Sequence, residues 1–101
     1  MADFLLSLRA DADLARIADY TIETYGIEQA RRYRDGLEAG FQNLADNPLL
    51  GQSTDYLAPH LRRLEHQSHV IFYMPQDNGV LIVRILHASM KASRHLGSVS
   101  I

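Results

Sequence analysis

An α+β fold, ordered strand, helix, helix, strand, strand, strand, follows from three features of the sequence. Two adjacent stretches of helical period meet at Gly26, three runs rich in β-branched and aromatic residues follow Pro59, and Asn78-Gly79 marks a hairpin between the last two runs. That order places a helical hairpin on one face of a small, mainly antiparallel sheet, within a single domain of residues 1–101. The opposite face of the sheet is expected to stay open.

Phe4-Leu5-Leu6-Ser7-Leu8 reads as the first strand, with Ser7 or Asp11 supplying the oxygen that caps the helix after it. In the first helix Ala10, Leu14, Ile17, Ala18, Ile22 and Tyr25 recur every three or four residues and gather on one face. Gly26 ends it, because glycine adopts a positive φ without steric cost. The same period continues from Ile27 through Ala30, Tyr33, Leu37, Phe41, Leu44 and Ala45 and stops before Pro48. So short a connection folds the two helices back on each other. Gly36 and Gly40 lie about one turn apart in the second helix, where each costs about 1 kcal/mol of helix propensity, so a close approach by another backbone is expected there.

Residues 48–59 carry Pro48, Gly51, Asp55 and Pro59 with no sustained period and read as a loop. Strands are predicted at 61–65, 69–74 and 80–87. Period two divides the middle strand into Val70, Phe72 and Met74 on one face and His69, Ile71 and Tyr73 on the other. In the last strand it sets Ile82, Arg84 and Leu86 against Val83, Ile85 and His87. An open face lined by Ile, Tyr, Arg and His is too apolar to remain wet, so a partner segment is expected on it.

Composition narrows the functional classes. The chain has 101 residues, 47% hydrophobic and 22% charged, which suits one ordinary globular core. There is no cysteine, so disulfides, thiolate metal sites and thiol nucleophiles are excluded, and a reducing compartment fits. A net charge of -2 and a pI near 6.2 argue against strong direct nucleic-acid binding, which needs a basic surplus. No apolar run is long enough for a membrane span and no signal-peptide pattern is present, so the expected location is the cytoplasm. Nine of the ten cations are arginine, the cation suited to bidentate carboxylate pairing, which points to an acidic protein partner. The candidate docking residues are Arg62, Arg63, Ile71, Tyr73, Arg84 and His87. His66 and His69, three apart with no acid or thiol pair, are a weak metal signature, and neither metal nor cofactor is expected.

The ordered set Phe4-x-Leu6-Ser7, Ala10, Asp13-Leu14, Ile17, Tyr20-Thr21, Tyr25-Gly26, Gln29-Ala30, Tyr33, Phe41, Leu44-Ala45, Asn47-Pro48, Gly51, Leu61-Arg62-Arg63, His69 to Tyr73, Arg84 to His87, Met90 and Arg94-His95-Leu96 resembles the ParE branch of the RelE/ParE toxins. The resemblance runs the length of the chain. It implies a toxin of a type II toxin-antitoxin module, held inactive in a hetero-oligomer by a ParD-like antitoxin that binds DNA through its own domain. It also implies DNA gyrase as the target, inhibited without enzymatic catalysis. Met90, Arg94, His95 and Leu96, after the last strand, are the region expected to carry toxicity. The antitoxin's tail is expected to be disordered alone and to wrap the helices and sheet on binding.

Two other readings compete. One is ribosome-dependent messenger RNA cleavage, as in the RelE branch, assembled from Arg62, Arg63, Glu65, Arg84 and His87. Against it, period two puts Arg84 and His87 on opposite faces of one strand, and Lys91 stands alone. The other is a non-toxic module that only captures an antitoxin.

Overall fold

The computed structural model describes residues 2–96. A five-stranded sheet of order β1-β5-β4-β3-β2 forms the frame. Its strands are β1 (Asp3–Leu6), β2 (Gln52–Ser53), β3 (Arg62–His66), β4 (His69–Gln76) and β5 (Gly79–His87), and the helices are α1 (Leu8–Tyr25), α2 (Ile27–Asp46) and α3 (Ala92–His95). β1 runs parallel to β5 and every other pairing is antiparallel. The predicted order therefore holds, with a two-residue strand added inside the 48–59 loop and a single helical turn added after the last strand.

Ser7 joins the first strand to the first helix. Its Oγ accepts from the amide of Ala10, capping α1, and donates to the Val83 carbonyl at 2.7 Å, so the helix starts where β1 leaves the sheet. Gly26 has φ 93° and its amide closes the last turn of α1 on Ile22. The buried stripe of α1 is Ala10, Asp13, Leu14 and Thr21. Ile22 and Tyr25, expected on that stripe, are instead exposed near the tip of the hairpin, and Thr21 occupies the inward position with its hydroxyl bonded to the Ile17 carbonyl. In α2 the predicted Ala30, Leu37, Phe41, Leu44 and Ala45 are buried and Tyr33 is half-buried, whereas Ile27 at its start is exposed.

Gly36 and Gly40 do not meet another backbone. A Cβ at Gly36 would lie 3.4 Å from the His66 ring and one at Gly40 3.7 Å from Ile71 Cδ1, so strand side chains fill the space beside α2. The two hairpins of the sheet turn at Gln67–Ser68 and at Asp77–Asn78, and Gly79 at φ 140° lets the second come against the Asp3 carbonyl.

A bulge in β5 decides which residues face which side. Phe72 pairs with Arg84 but Tyr73 pairs with Ile82, leaving Val83 as the extra residue. Val80, Ile82 and Ile85 therefore all turn to the helices, where they meet Leu14, Leu37, Phe41, Leu44, Ile71 and Tyr73 in the main core. Phe4 and Phe41 pack there with ring centroids 5.3 Å apart. Truncating Phe41 to alanine would cost about 3–5 kcal/mol on the usual scale for buried aromatic side chains.

The face reading needs two corrections. The alternation in β4 is as predicted, but Ile71 and Tyr73 lie under the helices rather than on the open face. Strict period two also fails in β5, because the bulge puts Ile82 with Ile85 and Val83 with Leu86. The far face carries Val70, Phe72, Val83 and Leu86, and it is not left open: Leu57, Ala58 and Leu61 from the loop before β3, and Ala92 and Leu96 from the C-terminal segment, pack over it. The chain covers much of its own second face.

Candidate functional site

Three elements meet at Asp13. This carboxylate, 1% exposed on α1, accepts from Arg84 Nε at 2.8 Å, from Arg84 Nη2 at 3.0 Å and from the amide of Ile85 at 2.9 Å, and it also pairs with Arg16. β1 ends at Leu6, so among the described residues the outer edge of β5 beyond Ile82 has no strand beside it. Ser7 and Asp13 supply the missing partners from α1. Arg84 Nη1 then reaches the His95 carbonyl at 3.0 Å, tying α3 to the same junction. The hydrogen bonds to Asp13, strengthened by its charge, raise the Arg84 pKa above its ordinary value against the opposing effect of burial. Arg84, a candidate docking residue, is thus engaged within the chain.

Tyr73 and Arg62 hold the 48–51 loop. The Tyr73 hydroxyl accepts from the Gly51 amide and donates to the Pro48 carbonyl, both at 2.8 Å, and Arg62 Nη2 donates to the carbonyls of Leu49 and Gly51. Fully buried Ile71 and Tyr73 have no surface to offer a partner. Arg63 differs: its side chain is 30% exposed and, among the described residues, pairs with the outward Glu65, a surface pair worth about 0–1 kcal/mol. Of the six candidate docking residues, Arg63 and His87 remain the more accessible.

His66, His69 and His87 converge with Tyr33 of α2 at one end of the helical face. Tyr33 Oη and His69 Nδ1 share a 2.6 Å hydrogen bond, the rings of His69 and His87 meet edge to face at 5.4 Å, and those of Tyr33 and His66 at 5.7 Å. Burial lowers the His69 pKa, and the positive charge of His87 and His66 lowers it further, against a smaller opposing effect from Asp13. Burial raises the Tyr33 pKa. His87 Nδ1 is occupied by Ser89 Oγ at 2.7 Å. Among the described residues no three His, Cys, Asp or Glu side chains are arranged to hold a metal ion. The cluster is a packed junction between α2 and the sheet, and Arg84 is bound to Asp13 rather than assembled with His87 around a phosphate.

The region expected to carry toxicity is docked on the sheet. Leu96 is 3% exposed in the second core, His95 lends its carbonyl to Arg84, and Arg94 and Met90 face outward. Residues 97–101 lie outside the described part of the chain.

Two exposed apolar regions were not singled out from sequence. A groove along the helical hairpin is lined by Ala18, Ile22, Ile27 and Ala30 with Arg31, Arg34 and Asp35 at its rim. Leu49, Leu50 and Tyr56 are exposed on the loop before β3. Ile22 fits the helical period, so its sequence position alone gives it to the core; only the packing shows it outside. No described helix is long and apolar enough to cross a membrane.

Comparison with known proteins gives a consistent result. A family model described as the ParE toxin of type II toxin-antitoxin system, parDE, matches residues 4–92. Toxin ParE1 of Caulobacter vibrioides is 41% identical over 97 residues, covering 96% of this chain and all of the relative. Toxin ParE1 of Mycobacterium tuberculosis is 36% identical over 94 residues, covering 92% of this chain and 96% of the relative. A solved structure described as the chromosomal ParDE TA system from P. aeruginosa superposes with a TM-score of 0.71 at 22% identity, over 86% of this chain and 96% of that one, which shows the shared fold.

Proposed function

The chain belongs to the ParE toxins of type II toxin-antitoxin systems, and on that premise we propose that it acts by binding rather than by catalysis, inhibiting DNA gyrase until a ParD-like antitoxin in the cytoplasm neutralises it. One observation carries the choice of binding over chemistry. Two of the three arginines that RNA cleavage would draw on are engaged in holding the fold, Arg84 by Asp13 and Arg62 by backbone carbonyls, whereas large apolar side chains stand exposed on the helical hairpin and the loop. Cleavage would need those cations free around a phosphorane-like transition state.

For the antitoxin, the groove lined by Ile22, Ile27 and Ala30 is the favoured surface. An amphipathic helix of a tail that folds on binding would bury its apolar face there, and acidic side chains on it would meet Arg31 and Arg34. Arg63 and His87 lie on other elements and would contact a continuation of the tail. Ile22→Asp should abolish capture of the antitoxin while leaving the domain folded, since Ile22 is exposed and contributes little to the core.

The cellular test separates the readings. Expression without antitoxin should arrest growth and induce DNA-damage signalling while bulk translation continues at first. Codon-positioned cuts in messenger RNA on translating ribosomes, with gyrase untouched, would overturn the proposal, and normal growth would mark an inert antitoxin-binding module.

A further inference from the structure

We propose that Arg84 and Leu96 are positioning residues that hold residues 91–96 in one pose against the sheet, and that this held pose, presenting Arg94, is the form in which the toxin meets its target. The inference deepens the reading of a binding toxin and rests on it.

α3 is four residues long and has no side-chain cap at Lys91. At its ends the Arg94 amide donates to the Lys91 carbonyl at 3.1 Å and the Leu96 amide to the Ala92 carbonyl at 2.9 Å. A single turn is far below the length at which a helix is stable alone, so its order must come from attachment. The structure shows two attachments. Leu96, 3% exposed, closes the second core beside Val83, Leu86 and Phe72, with Ala92 packed at its margin. Arg84 binds the His95 carbonyl through Nη1, while its other two nitrogens are fixed by Asp13. The planar guanidinium thus spans from a buried carboxylate on α1 to the backbone of α3, which the single ammonium of a lysine cannot do. Arg94, between these attachments, is exposed and has no carboxylate partner among the described residues. An exposed cation on a short, fixed turn is a recognition element whose backbone needs no further ordering on binding.

The test uses the full chain and four proteins: wild type, L96M, L96A and R84K. Trypsin cleavage after Lys91 and Arg94, followed by fragment mass, reports how firmly the segment is held, because cleavage requires local opening. Inhibition of gyrase supercoiling and affinity for the antitoxin are measured in parallel. L96A and R84K should be cut at those two sites about tenfold faster or more, and should need about tenfold more protein to inhibit gyrase, while antitoxin affinity stays within about twofold. L96M, which keeps the volume of the plug, should match wild type in all three. The proposal is overturned if L96A is cut no faster, if it is loosened yet inhibits gyrase as well as wild type, or if antitoxin affinity falls in step with inhibition, as a general loss of structure would cause. Should R84K fail to fold, the L96A and L96M pair decides. Wild-type protein that leaves gyrase untouched would instead refute the target assignment, and the tryptic comparison would still show whether Leu96 and Arg84 hold the segment.

Discussion

Asp13→Ala should be among the most damaging polar substitutions in this chain, and the structure sets its size. The side chain is 1% exposed and receives two bonds from Arg84, one from the Ile85 amide and one from Arg16. Its removal leaves the Arg84 guanidinium, 12% exposed, beside an empty space and leaves the Ile85 amide without an acceptor at the edge of β5. Breaking one side of a buried ion pair costs about 3–5 kcal/mol. The unsatisfied amide accounts for about 1–3 kcal/mol and overlaps with that figure rather than adding to it, because one carboxylate serves both. Arg16 contributes little, being 58% exposed. A loss of about 3 kcal/mol at 4 °C or more per kcal/mol lowers Tm by roughly 12 °C or more in a domain of this size. Urea unfolding with a shared m-value is the assay, and a double-mutant cycle with R84M isolates the pair. A D13A protein within about 0.5 kcal/mol of wild type would refute the assignment of Asp13 as the bond between α1, β5 and α3.

Other substitutions test neighbouring claims. Tyr73→Phe leaves the buried Gly51 amide unpaired and should lower stability by about 1–3 kcal/mol in urea titrations, with faster proteolysis in the 48–56 loop; an unchanged midpoint would show that Tyr73 does not hold that loop. Gly36→Ala should raise stability by about 0.5–1 kcal/mol, since the helix gains propensity and the new methyl meets His66 at an ordinary contact distance; a loss would mean the His66 ring cannot accommodate it. The His69 pKa is lowered on folding from its ordinary 6.5, so the unfolded chain binds the proton more tightly. The stability tied to neutral His69 is therefore complete above about pH 6.5 and lost as pH falls toward the folded-state value. The urea midpoint should drop between pH 7.5 and 5.5, and His69→Gln should flatten that drop; an equal slope in both proteins would remove His69 as its source.

Much of the architecture was legible because it rests on local signals. Gly26 ends one helix and starts the next, Ser7 caps α1, and the Asn78-Gly79 signal falls on the last hairpin, whose turn is Asp77-Asn78 with Gly79 opening β5, each through chemistry confined to a few residues. The side of the sheet to which each strand residue points was harder. Period two divides a strand into two faces without saying which the helices cover, so Ile71 and Tyr73 could be assigned to the wrong one. The Val83 bulge then shifts the phase of β5 midway, and no residue type in Ile82-Val83-Arg84-Ile85 announces it. Arg84 was visible as unusual within an apolar strand, but its partner lies 71 positions away on α1, a separation no local pattern spans. The exposed groove stayed hidden because Ile22 fits the helical period and Ile27 opens the second helix, so only tertiary packing reveals them outside the core.

The most direct test of the binding-toxin account is supercoiling and DNA cleavage by purified host gyrase, titrated with this protein at stoichiometric and excess concentrations. Supercoiling should fall and cleaved DNA should accumulate, with both effects reversed by the antitoxin in about equimolar amount. Gyrase that supercoils at its normal rate, without cleaved DNA, in the presence of excess protein that still arrests growth would contradict it.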